Sequence, residues 1–317
     1  MLKAILFLML AVSCAAVVID GCNSTSSQNS GSSPQPETRQ EISGKPIWKG
    51  ASGGFEIEWT TEDLFSRSGG KTERILQPLA RRGYEEFSAD VNRSDQTKGS
   101  PSNNCDYRRN FEVLSIVGSL VTFQDTEYSD CGGAHPSTEM RFTLIDLGRP
   151  GEVFYGQEEN ALDVDLQRPG KALKITDYFA ESDILNALLA DRVIKRALAE
   201  GRVSSPPQSL AALPELFAKN EYVLPETELS LRPDFLTRFA FHHIEGDMVA
   251  LRLNLPSIAF DYRSSQIGLL LPIPARLKQS LALAATGQEG FLMSNAPSAN
   301  RNQITRFEFK VGEGARR

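Results

Sequence analysis

The chain has 317 residues, a length that accommodates two domains or one domain with appendages. Its 34 Lys and Arg residues and 40 Asp and Glu residues give a net charge of −6, which is ordinary for a soluble protein surface. This mild acidity argues against a nucleic-acid-binding protein, in which a basic stripe is expected.

The first residues predict export from the cytoplasm. Lys3 precedes an apolar run, 4–18, that is too short for a membrane span and has the layout of a secretory signal peptide. The run leads to Ile19-Asp20-Gly21-Cys22, which resembles the lipobox of a bacterial lipoprotein, with Cys22 as the acylated first residue of the mature protein. Cys14 is a rival acylation site, and an ordinary cleaved signal peptide is the other alternative.

We therefore predict a lipoprotein-type signal peptide over residues 1–22 and a lipid anchor that holds the protein to a membrane of the cell envelope. In a Gram-negative cell this places the protein in the periplasm or at the outer membrane. Residues 23–50 are low in hydrophobicity and rich in Ser, Asn and Pro, so they predict a flexible tether.

The N-terminal half of the folded part, residues 51–135, begins with short elements. Phe55–Trp59 alternates apolar and polar residues and predicts the first strand. Residues 73–89 predict a short helix interrupted by Pro78, and the polar stretch 92–104 predicts a loop.

A central antiparallel hairpin follows, with its turn at Gly118. Two runs rich in β-branched and aromatic residues flank this glycine. Cys105 and Cys131 lie at equal sequence distances from Gly118, so they face each other across the hairpin if the turn is centred there. Opposed Cβ atoms in such a pair are about 4.5–5.5 Å apart, near the separation that a disulfide needs. Since export permits disulfides, we predict a Cys105–Cys131 bridge.

The second half, residues 136–286, predicts a C-terminal α+β domain and is followed by a polar tail, 287–317. Its strongest helix is 181–200, where apolar residues form one stripe and Gly201 marks the end. The other predicted elements are a strand at 140–146, a short helix at 210–219, a hairpin of 237–243 with 247–255, a strand at 266–273, a helix from Pro274 to Ala285 and an edge strand at 304–309. No β-α-β rhythm occurs. The fold class is therefore predicted to be α+β, with a mostly antiparallel sheet, two to three packed helices and a smaller N-terminal strand and hairpin half.

The three histidines were weighed as catalytic or metal-binding residues. His135 lies near Asp130 and Ser137, but no nucleophile-elbow pattern surrounds them, so we expect it to hydrogen-bond the loop. His242 and His243 are adjacent on a predicted strand and should point to opposite faces, which prevents them from binding one ion. We expect no catalytic residue, no metal and no cofactor.

The loop before the last apolar strand is the best candidate for binding. It exposes Tyr262 and Arg263 next to Asp261, among small polar residues. Tyr and Arg are the side chains that most often dominate the energetics of protein interfaces. The alternative is that Tyr262 packs against the sheet edge.

Several blocks of the sequence resemble one known family. Tyr128–His135 reads YSDCGGAH, Leu173–Phe179 reads LKITDYF, and the segment Ile258–Tyr262 precedes an apolar strand and a helix. Together they are similar to the extracellular domain family found in the anti-sigma factor RsiV and beside the catalytic domain of the peptidoglycan deacetylase PdaC. The resemblance covers about residues 55–285 and makes 136–286 an RsiV-type domain.

This resemblance implies a non-catalytic envelope module. RsiV-like members bind lysozyme, and contacts are expected near His135 and near Asp261, Tyr262 and Arg263. We therefore expect an exported cell-envelope lipoprotein that binds lysozyme or a peptidoglycan-related ligand. The alternatives are a hydrolase or deacetylase of cell-wall glycan and a purely structural envelope protein.

Overall fold

The computed structural model describes eight stretches of the chain. They are residues 43–98, 105–132, 136–149, 173–200, 205–214, 233–255, 265–297 and 303–310.

The N-terminal sheet is an antiparallel meander of four strands in sequence order. The strands are β1 (Pro46–Ser52), β2 (Phe55–Thr60), β3 (Leu64–Ser68) and β4 (Lys71–Arg74). Gly53-Gly54 and Gly69-Gly70 form two-residue turns with positive φ at both positions, as a type I′ hairpin turn requires. Strand β1 begins inside the range predicted as tether, so the predicted first strand is in fact the second.

Helix α1 (Leu76–Lys98) follows the N-terminal sheet and is longer than predicted. Pro78 lies in its first turn, where a proline interrupts no helical hydrogen bond. The helix therefore passes Pro78 and continues into the stretch predicted as a loop. Its start is capped by the buried carboxylate of Asp63, which accepts bonds from the backbone N–H groups of Leu76 at 2.8 Å and Gln77 at 3.3 Å.

The central sheet contains the predicted hairpin. Its strands are β5 (Asp106–Val117), β6 (Leu120–Asp130), β7 (Ser137–Asp146) and β11 (Thr305–Lys310), in the order β11-β5-β6-β7. The turn at Gly118-Ser119 and the edge strand near the C-terminus are confirmed. The segment before β11 is not a loose tail, because Phe291 and Leu292 are buried and Phe291 exchanges backbone hydrogen bonds with Ile116 at 2.8 and 3.0 Å.

A β-bulge at Leu114 sets the register between the two cysteines. Near the turn Val117 pairs with Leu120, whereas beyond the bulge Asp106 pairs with Asp130. One extra residue on β5 thus offsets the two-residue turn and brings Cys105 opposite Cys131. The predicted disulfide Cys105–Cys131 is present.

The described residues of the C-terminal part include a three-stranded sheet and several helices. The sheet has the order β10-β9-β8, formed by β8 (Phe239–Glu245), β9 (Met248–Leu255) and β10 (Ser265–Pro272). The helices are α2 (Glu181–Ala190), α3 (Arg192–Glu200) and α4 (Lys278–Thr286). The last of these starts after a 3-10 turn at Ala275–Leu277, close to the predicted position.

The helix predicted at 181–200 is two helices that meet at Asp191. This residue has an extended backbone, with ψ of 140°, and its carboxylate accepts bonds from the N–H groups of Val193 at 2.8 Å and Ile194 at 3.1 Å. Asp191 therefore ends α2 and caps α3. The apolar stripe continues across the break, which is why periodicity alone predicted one helix.

Two hydrophobic cores lie on opposite faces of the central sheet. On the inner face, Ile116, Val121 and Phe111 pack with the N-terminal sheet and α1. On the outer face near the Gly118 turn, Val117 and Leu120 pack with the three-stranded sheet and the C-terminal helices. The predicted α+β class with mostly antiparallel sheet is confirmed.

We predict that Asp63→Ala lowers the free energy of unfolding by about 2–4 kcal/mol, because buried N–H groups at the start of α1 lose their acceptor. Urea unfolding followed by circular dichroism measures the change. Glu62→Ala removes the exposed neighbouring carboxylate and serves as the control. Equal stability of the two variants would contradict the capping role.

We predict that the double variant Cys105→Ala/Cys131→Ala loses about 3–4 kcal/mol of stability, because the bridge closes a loop between residues 26 apart in sequence. Thermal unfolding of the variant should match that of the reduced wild-type protein. A variant as stable as the oxidised wild-type protein would show that the disulfide does not stabilise the fold.

Candidate functional site

Five of the predicted site residues lie outside the described residues. They are the lipidation site Cys22 and the predicted binding residues His135, Asp261, Tyr262 and Arg263. Their roles stay predictions.

The described start of the GGAH turn is held by local hydrogen bonds and the disulfide. Asp130 accepts a bond from the N–H of Gly132 at 2.9 Å, and Gly132 has a positive φ of 73°. The Tyr128 hydroxyl lies 3.4 Å from the second Asp130 oxygen, and the Arg108 guanidinium lies over the Tyr128 ring at 5.1 Å. These contacts fix Tyr128 and Arg108 on the outer face of the central sheet, beside the chain that leads to His135.

That outer face is polar towards the disulfide end, in contrast to its apolar half near Gly118. Three cross-strand rows make up the surface, which we call the polar sheet face. The rows are Arg108–Tyr128–Thr138, Asn110–Thr126–Met140 and Glu112–Gln124. All eight side chains are half-buried.

The polar sheet face combines hydrogen-bonding groups of several kinds at low net charge. Its amides and hydroxyls both donate and accept, its single arginine faces Glu308 at 3.4 Å, and Tyr128 adds an aromatic ring. Such a set suits a ligand with many neutral hydroxyl and amide groups better than a strongly charged one. Strand alternation puts Arg108, Asn110 and Glu112 on one side of β5, but it does not tell how far other elements cover that side.

The polar sheet face ends where the three-stranded sheet abuts it. Leu114, Phe142 and Ala240 pack together at this junction. The backbone N–H of Phe142 donates to the Asn254 side chain at 3.3 Å, and that of Phe241 donates to the Ser115 hydroxyl at 3.4 Å. The outward face of the three-stranded sheet therefore continues the same surface.

This outward face carries the two adjacent histidines, and here the structure corrects the prediction. A β-bulge places both His242 and His243 against Ala250, so the two imidazoles lie on the same side of the strand. Their Nδ1 atoms are 2.7 Å apart. Strict alternation predicted opposite faces, and the bulge is the reason that it was wrong.

The groups around the histidine pair shift the pKa of His242. Burial, the Arg252 guanidinium and the neighbouring His243 together lower the pKa of His242. Arg252 lies on the same face, since it pairs with Ala240 and Gly268, and a Cβ at Gly268 would lie 3.0 Å from its Nη1. The glycine thus leaves room for Arg252 beside the histidines.

The inner face of the same strands holds a buried ion network. Arg109 and Asp125 are fully buried and form a bidentate pair, and Arg109 Nη1 also donates to the Leu79 carbonyl of α1 at 2.7 Å. Gly83 makes this close approach possible, because a Cβ there would lie 2.3 Å from Arg109 Nη1. The network attaches α1 to the sheet and is a structural feature.

The ion network continues from Asp125 to Arg141 on β7 and Glu127 on β6. Arg141 bonds Asp125 and Glu127, both at 3.2 Å, and is a fifth exposed. Burial raises the pKa of Glu127, although Arg141 acts in the opposite direction. The charges of Arg141, Asp125 and Glu127 are paired with one another, so these residues stabilise the fold.

Within the described residues, His, Cys, Asp and Glu form no group of three or more that could hold a metal ion. In the same part of the chain, no helix has the length and apolar character needed to cross a membrane.

Comparisons of the chain with models of protein families, with curated proteins and with solved structures found no match. The resemblance to the RsiV-type domain family therefore stays a prediction from the motifs alone.

We predict that the pKa of His242 lies below 6.5 and rises when Arg252 is replaced by Gln, because one source of positive charge is removed. Nitrogen-detected NMR titration of the imidazoles measures both values. A His242 that titrates at or above 6.5 in the wild-type protein would contradict this account.

Proposed function

We propose that the protein is an exported cell-envelope lipoprotein that binds a peptidoglycan-derived glycan on the polar sheet face, without transforming it. The observation that carries this proposal is the set of half-buried amide, hydroxyl and aromatic groups on the outer face of the central sheet. The Cys105–Cys131 disulfide supports the exported location, because such bridges persist in oxidising compartments.

The composition of the face favours a glycan over lysozyme as the ligand. Lysozyme is basic, and an interface for a basic protein gains from an acidic, complementary surface. The polar sheet face instead has one arginine and one glutamate among neutral groups. Sugar hydroxyls and acetamido groups donate and accept hydrogen bonds, which Asn110, Gln124 and Thr126 can match from adjacent strands.

Described residues flank both sequence-predicted binding segments. Ser137 begins β7, two residues after His135, and pairs with Ser129 next to Tyr128. Leu255 and Ser265 flank the segment with Asp261, Tyr262 and Arg263 and pair with each other, adjacent to Asn254, which bonds β7 at Phe142.

We predict that the full exported chain binds soluble peptidoglycan fragments, and that Gln124→Ala, Tyr128→Ala and Tyr262→Ala each weaken binding by about 1–2 kcal/mol, since each removes a direct contact. Isothermal titration calorimetry with purified muropeptides measures the affinity, and lysozyme is titrated in parallel. Glu85→Ala, on the exposed side of α1, is the matched control.

Unchanged muropeptide affinity in the two variants of the polar sheet face would remove this surface from the proposal. Binding of lysozyme alone would replace the glycan by a protein ligand. Chromatographic detection of altered muropeptides after incubation would favour the hydrolase or deacetylase alternative.

A further inference from the structure

The two imidazoles on β8 form an arrangement that the proposed glycan binding does not use. His242 and His243 are both half-buried, and their rings are nearly perpendicular, at 76°, with centroids 4.9 Å apart. The closest atoms are the two Nδ1 nitrogens, at 2.7 Å. In the neutral pair this is the distance of an N–H···N hydrogen bond, in which one Nδ1 donates and the other accepts. When both rings carry their proton on Nε2, the two Nδ1 lone pairs lie close enough together to bind one ion.

We propose that His242 and His243 chelate a divalent transition metal ion through their Nδ1 atoms, with Cu(II) as the preferred ion. Imidazole is a good ligand for copper, nickel and zinc, and copper forms the most stable complexes in the divalent series. The bulge that turns both side chains to one face makes adjacent residues capable of bidentate binding.

The separation of the nitrogens discriminates between coordination geometries. Two nitrogens bound to tetrahedral zinc at about 2.0–2.1 Å lie about 3.3–3.4 Å apart. Neighbouring nitrogens around a square-planar or tetragonal ion with similar bond lengths lie about 2.8–2.9 Å apart, a geometry typical of Cu(II) and Ni(II). The 2.7 Å in the metal-free pair is a hydrogen-bond distance, and the two rings must move apart less to reach the second arrangement than to reach the first.

The surroundings leave coordination positions open and limit the affinity. In the cross-strand row that contains His243, the neighbours are Ala250 and the 41 % exposed Leu270, so solvent reaches the pair from the outward face of the sheet. Water would complete the coordination sphere. Arg252 places a positive charge on the same face, which opposes a second cation.

The test titrates Cu(II) alone into the full chain and follows binding by calorimetry and by electron paramagnetic resonance. We expect one Cu(II) per chain with nitrogen hyperfine coupling, and loss of about tenfold or more in affinity for His242→Ala and for His243→Ala. Binding of Zn(II) should be weaker than that of Cu(II). His135→Ala removes the third histidine of the chain and serves as the matched control.

Arg252→Gln is the second test, because a variant that gains affinity cannot be explained by misfolding. We expect it to bind Cu(II) several-fold more tightly than the wild-type protein, since one repulsive charge is gone. Absence of Cu(II) binding, or binding that survives in both His242→Ala and His243→Ala, would overturn the proposal and leave the N–H···N hydrogen bond as the account of the short distance. Glycan binding is measured separately and decides the proposed function on its own.

Discussion

The pairing of β5 with β6 is the interaction on which the rest of the structure depends. These two strands run the full length of the central sheet, receive β11 and β7 on their outer edges and carry side chains of both hydrophobic cores. A shift of one residue between them would exchange the faces of every side chain along a strand. The bulge at Leu114 and the disulfide beyond it therefore determine which residues line the cores and which form the polar sheet face.

The two faces of this sheet show how one alternating pattern produces opposite environments. Arg109 and Asp125 face α1 and satisfy each other in the interior, where loss of one partner of a buried ion pair typically costs about 3–5 kcal/mol. Arg108 and Asn110, each one residue away, face outwards and contact β11, where Arg108 lies 3.4 Å from Glu308 and the Asn110 Oδ1 accepts a bond from Arg306 at 3.0 Å. The buried pair fixes the position of α1, so the arrangement of the outer face follows from a contact made on the inner one.

Features set by local pattern could be predicted from the sequence, and features set by tertiary partners could not. Alternation and turn glycines gave the Gly118 hairpin, the β8–β9 hairpin and the Cys105–Cys131 pairing. The bulges at Leu114 and His242 leave no trace in hydropathy, because they arise from backbone bonding across strands. The residues of the polar sheet face were also not predicted. Periodicity shows which residues lie on the same side of a strand, but it does not show which side another element covers.

The contacts of β11 affect the order in which parts of the fold form. The Thr305 hydroxyl accepts a bond from the Trp59 indole at 3.0 Å and donates to the Thr60 carbonyl at 2.6 Å, which joins residues about 245 positions apart. Contacts of such long range slow folding, because a large loop must close before they form. The bonds that join Trp59 and Thr60 to Thr305 can therefore form only after the C-terminal residues have been synthesised.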